Sequence, residues 1–188
     1  TTPFEAFASS GNKLFDETYL SKLKITPPIK QENEWSYYEE PRLGNRYCFG
    51  ADVGEGIGKD HSAIVIWKLS SLKPKVVAIY KNNKIAPDLL AFEIKNGATK
   101  YSYAFGAVER NNHGHTTISK LREIYPEELL YKNEKQKIGW ETTLVSKPKM
   151  MFDLNTAVNN ELVDISSQGI VSEARRYDKE DLRIKNYE

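Results

Sequence analysis

One cysteine, two methionines and three tryptophans are spread over 188 residues, and no apolar run approaches the roughly 18 residues of a membrane-spanning helix. The lone Cys48 can close no internal disulfide and build no cysteine zinc site, which suits a reducing intracellular compartment. The N-terminal stretch lacks the apolar core of a secretion signal, so a soluble protein is expected. Charge of one sign is missing as well. Twenty-seven Lys and Arg against 26 Asp and Glu leave a net charge of +1. Affinity for nucleic acid must therefore come from local clusters of basic side chains, not from the chain as a whole. What is present, 39% hydrophobic and 28% charged residues, is ordinary for a globular protein long enough to bury a substantial core. There is no internal repeat and no low-complexity segment.

Glycine is concentrated in Phe49-Gly50-Ala51-Asp52-Val53-Gly54-Glu55-Gly56-Ile57-Gly58-Lys59-Asp60, which invites comparison with a phosphate-binding loop. Gly58 and Lys59 fit the end of G-x-x-x-x-G-K-[ST], but Val53 stands where the leading glycine belongs and Asp60 where the hydroxyl belongs. A carboxylate there repels phosphate. The dinucleotide pattern G-x-G-x-x-G fails at Lys59, and a β-branched strand sequence, Ser62 to Trp67, follows instead of a helix. The segment reads as strand, turn, strand, with the glycines supplying positive φ.

Residues 1–45 carry Thr26-Pro27-Pro28 and the acidic clusters Gln31-Glu32-Asn33-Glu34 and Glu39-Glu40-Pro41, without a sustained period. They read as an arm or linker holding a short helical piece near Asp16 to Leu23. From Arg46 the pattern changes. Tyr47 to Val53, Ser62 to Leu69 and Lys75 to Tyr80 predict three strands in an antiparallel meander. Ala86-Pro87-Asp88 opens a helix with Leu90, Ile94, Ala98 and Tyr101 on one face. Ala104 to Val108 is a buried strand ending at Glu109, and Thr116 or Thr117 caps a helix with Ile118, Leu121 and Tyr125 inward. Leu129 to Tyr131 is a further strand candidate, and Asn133-Glu134 turns a second short hairpin ending at Trp140. Helices from about Lys149 to Asn159 and from Gln168 to Arg176 flank a strand at Leu162 to Ile165. Three antiparallel strands, then helix, parallel strand, helix and strand, is the ribonuclease H-like α/β arrangement: a mixed sheet flanked by helices.

In that order the first strand is central, and the strand after the first helix returns beside it through a right-handed crossover. Asp52 and Glu109, each at the end of an apolar strand, then fall on neighbouring strands at one sheet edge. Two carboxylates so placed repel each other unless a proton or cation sits between them. Oxygen ligands suit Mg²⁺ or Mn²⁺, and two such ions can clamp the attacking and leaving oxygens of a phosphodiester. The implied chemistry is nucleic-acid hydrolysis. Any single acid at a strand end is more often a turn residue or ion-pair partner, and the pairing is what raises these two above that background. Asp60 and Glu55 read first as turn residues, with Asp60 also able to face the metals; His113, His61 and His115 read as solvated loop residues.

At these residues the chain resembles the C-terminal nuclease domain of the large terminase subunit of tailed bacteriophages. The resemblance runs through Pro3-Phe4-Glu5-Ala6-Phe7, Ser9-Ser10-Gly11 and Leu14-Phe15-Asp16, then Gly50-Ala51-Asp52 with Asp60-His61-Ser62. It continues through Val108-Glu109-Arg110-Asn111-Asn112-His113-Gly114 and Gly139-Trp140 with Thr142-Thr143 before Lys147-Pro148. It implies a metal-dependent endonuclease using two Mg²⁺ or Mn²⁺ ions to cut concatemeric double-stranded viral DNA during packaging. Asp52 and Glu109 take the places of metal ligands and Asp60 that of a supporting acid. The implied partners are viral DNA, the portal protein, the small terminase subunit and an N-terminal packaging ATPase of the same polypeptide. The setting is the host cytoplasm at the procapsid portal, with no membrane. On this reading residues 1–45 are the arm that follows the ATPase, and 46–188 are the nuclease domain, short of its last helix.

The family's third catalytic aspartate lies on a late helix beyond the segment resembling Ser172-Glu173-Ala174-Arg175-Arg176-Tyr177. The given sequence is expected to stop short of that helix, the alternative being that Asp178, Asp181 or another acid substitutes. Lys132, Lys135, Lys137, Lys147 and Lys149 cluster around the second hairpin and are candidates for sequence-insensitive contacts to the DNA backbone. Taken singly, each lysine fits a solvated basic loop equally well. Two other classes stay open: a DNA- or portal-docking module with degenerate chemistry, and another ribonuclease H-like nuclease such as a resolvase or integrase.

Overall fold

The computed structural model describes residues 12–69 and 72–182. The resemblance at Pro3 to Phe7 and Ser9 to Gly11 lies outside them. In chain order the elements are α1 (Glu17–Leu20), β1 (Lys30–Glu32), β2 (Trp35–Tyr37), β3 (Arg46–Asp52), β4 (Ser62–Leu69) and β5 (Lys75–Asn82). There follow α2 (Pro87–Lys100), β6 (Phe105–Val108), α3 (Gly114–Ile124), α4 (Ser146–Asn159) and α5 (Gln168–Arg176), with short 3₁₀ turns at Glu127–Leu129 and Lys179–Leu182. Two compact units divide them: Pro28–Thr142, and the flanking stretches up to Pro27 and from Thr143. No helix among the described residues is long and apolar enough to cross a membrane.

The first unit is one six-stranded mixed sheet in the order β1-β2-β5-β4-β3-β6. β3, β4 and β5 form the expected antiparallel meander, and β6 returns parallel to β3, so the ribonuclease H-like order holds. Alternation explains the strands. In β3, Tyr47, Phe49 and Ala51 are buried while Gly50 and Asp52 are exposed; in β4, Ser62, Ile64 and Ile66 face inward. Helix α2 starts with Pro87 in its first turn and buries Leu90, Ile94 and Ala98. Burying each such aliphatic side chain contributes about 1.5–3 kcal/mol.

Several sequence expectations are corrected. The stretch read as an irregular arm carries β1 and β2, a hairpin that extends the sheet and buries Trp35 and Tyr37. Each strand is three residues long, too short to show alternation, and the turn places Asn33 and Glu34 at φ 46° and 63° without the usual glycine. Leu129 to Tyr131 forms a single parallel bridge, Gly106 to Leu130, instead of a strand, and among the described residues Leu162 to Ile165 is not one of the six strands of the sheet. Neither Thr116 nor Thr117 caps α3. The helix begins at Gly114, and Thr117 is buried, its hydroxyl donating to the Pro87 carbonyl at 2.7 Å.

The second unit buries Leu14, Phe15, Leu20, Val158, Ile165 and Val171. Its ends are tied together by a backbone bond from Leu14 to Tyr177 at 3.0 Å and a two-pronged Arg175–Glu17 ion pair. Helix α4 begins at Ser146, earlier than expected, with Pro148 in its first turn, where no N–H is needed. Thr143 and Ser146 hydrogen-bond each other's backbone N–H through their hydroxyls, at 3.0 and 2.8 Å, and so stabilise that start. Asp16 caps α1, accepting from the Thr18 N–H at 2.7 Å, and Ser167 caps α5.

Candidate active site

The parallel register pairs Ala51 with Val108, so Asp52 and Glu109 are the next residues on adjacent strands. Glu109 donates its backbone N–H to the Ala51 carbonyl at 2.8 Å, which fixes its Cα beside Asp52. Gly114 contributes from the other side. A Cβ there would overlap the Glu109 carbonyl, so only glycine lets α3 begin against that residue. Beyond Glu109 the chain stays anchored: Arg110 donates to the Trp140 carbonyl, Trp140 to Val108, and the Asn111 side chain to Thr142, all at 2.8–2.9 Å.

The two carboxyls reach each other. Surrounding protein and then a hydrogen bond and charge repulsion from Glu109 raise the pKa of Asp52 to about 7. Asp52 keeps surface in water, which softens the effect of enclosure, but the neighbouring carboxylate pushes in the same direction. A backbone N–H at Val53 pulls the other way, and the charge of Asp60 adds a smaller upward push. Two carboxyls that must share a proton form a donor set suited to a hard divalent cation, which would replace that proton.

Asp60 acts on Asp52 through charge. Among the described residues, no three His, Cys, Asp or Glu side chains gather closely enough to hold a metal. Asp60 lies in the 53–61 loop, whose glycines divide the work. Gly56 and Gly58 take φ of 76° and 87°, as the sequence predicts, whereas Gly54 is needed for space: a Cβ there would stand 2.7 Å from the Asp60 carbonyl oxygen. The Ser62 hydroxyl accepts the Gly54 N–H at 3.0 Å and closes the loop's base. His113 stands at the start of α3 with Nε2 3.6 Å from Glu55. Asp178 pairs with Lys13 at 3.0 Å and Asp181 accepts the Asp178 N–H, both within the second unit.

The lysines divide. Lys132, Lys135 and Lys137 share a hairpin closed by a Lys132–Ile138 bridge, where the Asn133 side chain accepts the N–H groups of Lys135 and Lys137. Lys132 is engaged by Glu127 at 2.9 Å. Lys147 and Lys149 belong to α4 in the second unit, and Lys149 pairs with Asp153 at 2.6 Å. Sequence reasoning missed a surface cleft of about 380 Å³, whose lining includes Arg110, His115, Ser119, Arg122 and Lys137 together with the acid Glu127. His115, Ser119 and Arg122 recur at helical spacing on α3, a polar stripe that the sequence does display.

No protein-family model and no curated protein sequence matches this chain. Solved structures do. The nuclease of the large terminase from thermophilic phage G20c with bound magnesium superposes with a TM-score of 0.71 at 18% identity, over 89% of this chain and 81% of that one. The nuclease domain of the Thermus phage P74-26 large terminase gives 0.64 at 16%, over 84% and 75%. A large terminase from another thermophilic bacteriophage gives 0.54 at 15%, over 86% of this chain but 37% of that longer one. At such identity these likenesses establish a shared fold.

Proposed function

We propose that this chain is the metal-dependent endonuclease domain of a viral DNA-packaging terminase. The observation that carries the reading is the contact between Asp52 and Glu109 on a sheet built like those of terminase nucleases, one of them solved with magnesium. Asp52 and Glu109 would hold the ions, with Asp60 as the supporting acid. Bound there, two Mg²⁺ or Mn²⁺ ions would supply water activation and stabilise the leaving 3′ oxygen of a phosphodiester. The protein's own part is to fix and charge the site. β3 and β6 set the carboxyl spacing, Gly114 locks the Glu109 backbone, and the proton shared by Asp52 and Glu109 must leave as cations arrive. Lys135, Lys137 and Lys147 would neutralise phosphates of double-stranded DNA without reading its sequence.

The same reading supplies the partners: viral DNA, a packaging ATPase in the same polypeptide, the portal protein and the small terminase subunit, at the procapsid in the host cytoplasm. That the chain matches about a third of the longer phage terminase supports the ATPase partner. One observation favours the second reading, a DNA- or portal-docking module, namely the lack of a three-donor cluster among the described residues. Plasmid cleavage by the full-length protein separates them. The nuclease reading expects Mn²⁺- or Mg²⁺-dependent nicking that chelation stops and that Asp52→Asn and Glu109→Gln each abolish. Metal-independent cutting, or full cutting by either variant, would overturn it.

A further inference from the structure

We infer that Lys81, with Lys59 and Lys84 beside it, is a second phosphate contact for duplex DNA, on the opposite side of the carboxyl pair from the lysine hairpin. The identity of the ligand rests on the nuclease reading. Strand register carries the placement. Asp52 pairs with Ala63 across β3 and β4, and Ala63 pairs with Lys81 across β4 and β5. Ala51 of β3, Ile64 of β4 and Tyr80 of β5 belong to the core on one face of the sheet, so their neighbours Asp52, Ala63 and Lys81 take the other face by alternation. Glu109 follows the core residue Val108 and takes that face too. Glu109, Asp52, Ala63 and Lys81 therefore stand in one row. Two strand spacings put the Lys81 backbone about 10 Å from that of Asp52, and the row carries only the Ala63 methyl group between them.

Trp140 bridges Glu109 on the side of β6 away from β3, which leaves the hairpin closed by Lys132 and Ile138 on the far side of the acids. A DNA strand lying along the row would meet cations on both sides of the phosphodiester held at the acids. The glycine loop builds up the β5 end. Gly58 donates its N–H to the Asn83 carbonyl at 2.7 Å, and its own carbonyl accepts the Asn83 side-chain amide at 3.1 Å. The next residues, Lys59 and Lys84, are thus carried on segments tied to each other. Lys59, Lys81 and Lys84 are all exposed, and no ion pair engages Lys59 or Lys84 among the described residues. The acids of the loop are turned elsewhere: Glu55 faces His113 at 3.6 Å, and the charge of Asp60 acts on Asp52. A lysine is a point charge without arginine's planar fork, so these contacts hold phosphates without reading bases.

Binding of a short fluorescent DNA duplex to the full-length protein, in EDTA across a range of salt concentrations, tests the contact apart from the chemistry. Lys81→Gln is expected to weaken binding about 3- to 10-fold at low salt and to reduce the slope of log affinity against log salt by about 0.9, the signature of one lost phosphate contact. Lys59→Gln combined with Lys84→Gln should reduce that slope by about 0.9 to 1.8. This double variant changes only exposed side chains and should keep the wild-type melting temperature, so its weaker binding would not reflect unfolding. Lys81→Arg keeps the charge and should preserve both affinity and slope. Lys120→Gln removes the same charge from α3, which packs on the core face of the sheet, and should leave the slope unchanged. An unaltered slope in both Lys81→Gln and the double variant would overturn the inference, as would an equal loss in Lys120→Gln or in Lys81→Arg. Failure of the nuclease reading alone would appear differently: the variants would still shift DNA binding in EDTA, while Mg²⁺ and Mn²⁺ would elicit no Asp52-dependent cutting.

Discussion

The side chains of Asp52 and Glu109 share a hydrogen bond across the ends of two adjacent parallel strands, and burial, together with that bond and the Glu109 charge, lifts Asp52 to about 7. A carboxyl whose pKa is higher folded than unfolded favours the fold only while protonated. The penalty is absent below the unfolded value near 4, grows as pH rises and is complete above about 7. Asp52→Asn mimics the protonated form permanently. In the absence of divalent metal it is expected to raise Tm at pH 8 by about 2–4 °C, on the order of 1 kcal/mol once solvent screening is allowed for. The gain should vanish by about pH 4. A fall in Tm at pH 8, measured by calorimetry, would refute the repulsion.

The same proton links metal binding to pH. A cation that displaces it should bind about tenfold more tightly for each pH unit gained below pH 7, and with little further change above pH 8. Manganese titration followed by electron paramagnetic resonance between pH 6 and 8 measures this directly. An affinity flat across that range would show that the shared proton and the cation do not compete.

How much of this was readable in the sequence depends on where each signal lies. The Asp52–Glu109 pairing was legible because strand order alone dictates it: three strands, a crossover helix and a parallel return leave no other neighbour for β3 on that side. The inner face of α2 was legible for a similar reason, since Leu90, Ile94 and Ala98 keep the helical period. The β1–β2 hairpin was not, because three-residue strands show no period and an Asn-Glu turn lacks the glycine that marks such turns. The basic cleft was hidden differently. Arg110, Arg122 and Lys137 come from three separate elements, and only the fold brings them together.

Gly114 and Gly50 make a matched pair for testing how the site is held. A Cβ at 114 would collide with the Glu109 backbone, whereas a Cβ at 50 meets nothing within 4 Å. Gly114→Ala should therefore cost about 1–3 kcal/mol of stability and impair metal-dependent cleavage. Gly50→Ala should leave stability within about 0.5 kcal/mol, as for a surface change away from special features. Urea denaturation monitored alongside plasmid nicking compares them. Equal stability and activity in the two variants would mean that the approach of α3 to Glu109 does not constrain the site.

Glu34 sits at φ 63° in the turn between β1 and β2, directly after Asn33 at φ 46°. Such a left-handed conformation costs a non-glycine residue roughly 1–2 kcal/mol, while glycine adopts it freely but loses more backbone entropy on folding, worth about 0.5–1 kcal/mol. The difference favours glycine by about 0.5 kcal/mol or slightly more. No side-chain bond of Glu34 is lost, since its carbonyl, which accepts the Lys81 N–H at 3.4 Å, belongs to the backbone. Glu34→Gly is therefore expected to raise the unfolding midpoint in urea slightly with an unchanged slope, because the buried area does not alter. A lower midpoint would mean that the turn holding Trp35 and Tyr37 in the sheet is not the strained two-residue connection its backbone angles describe.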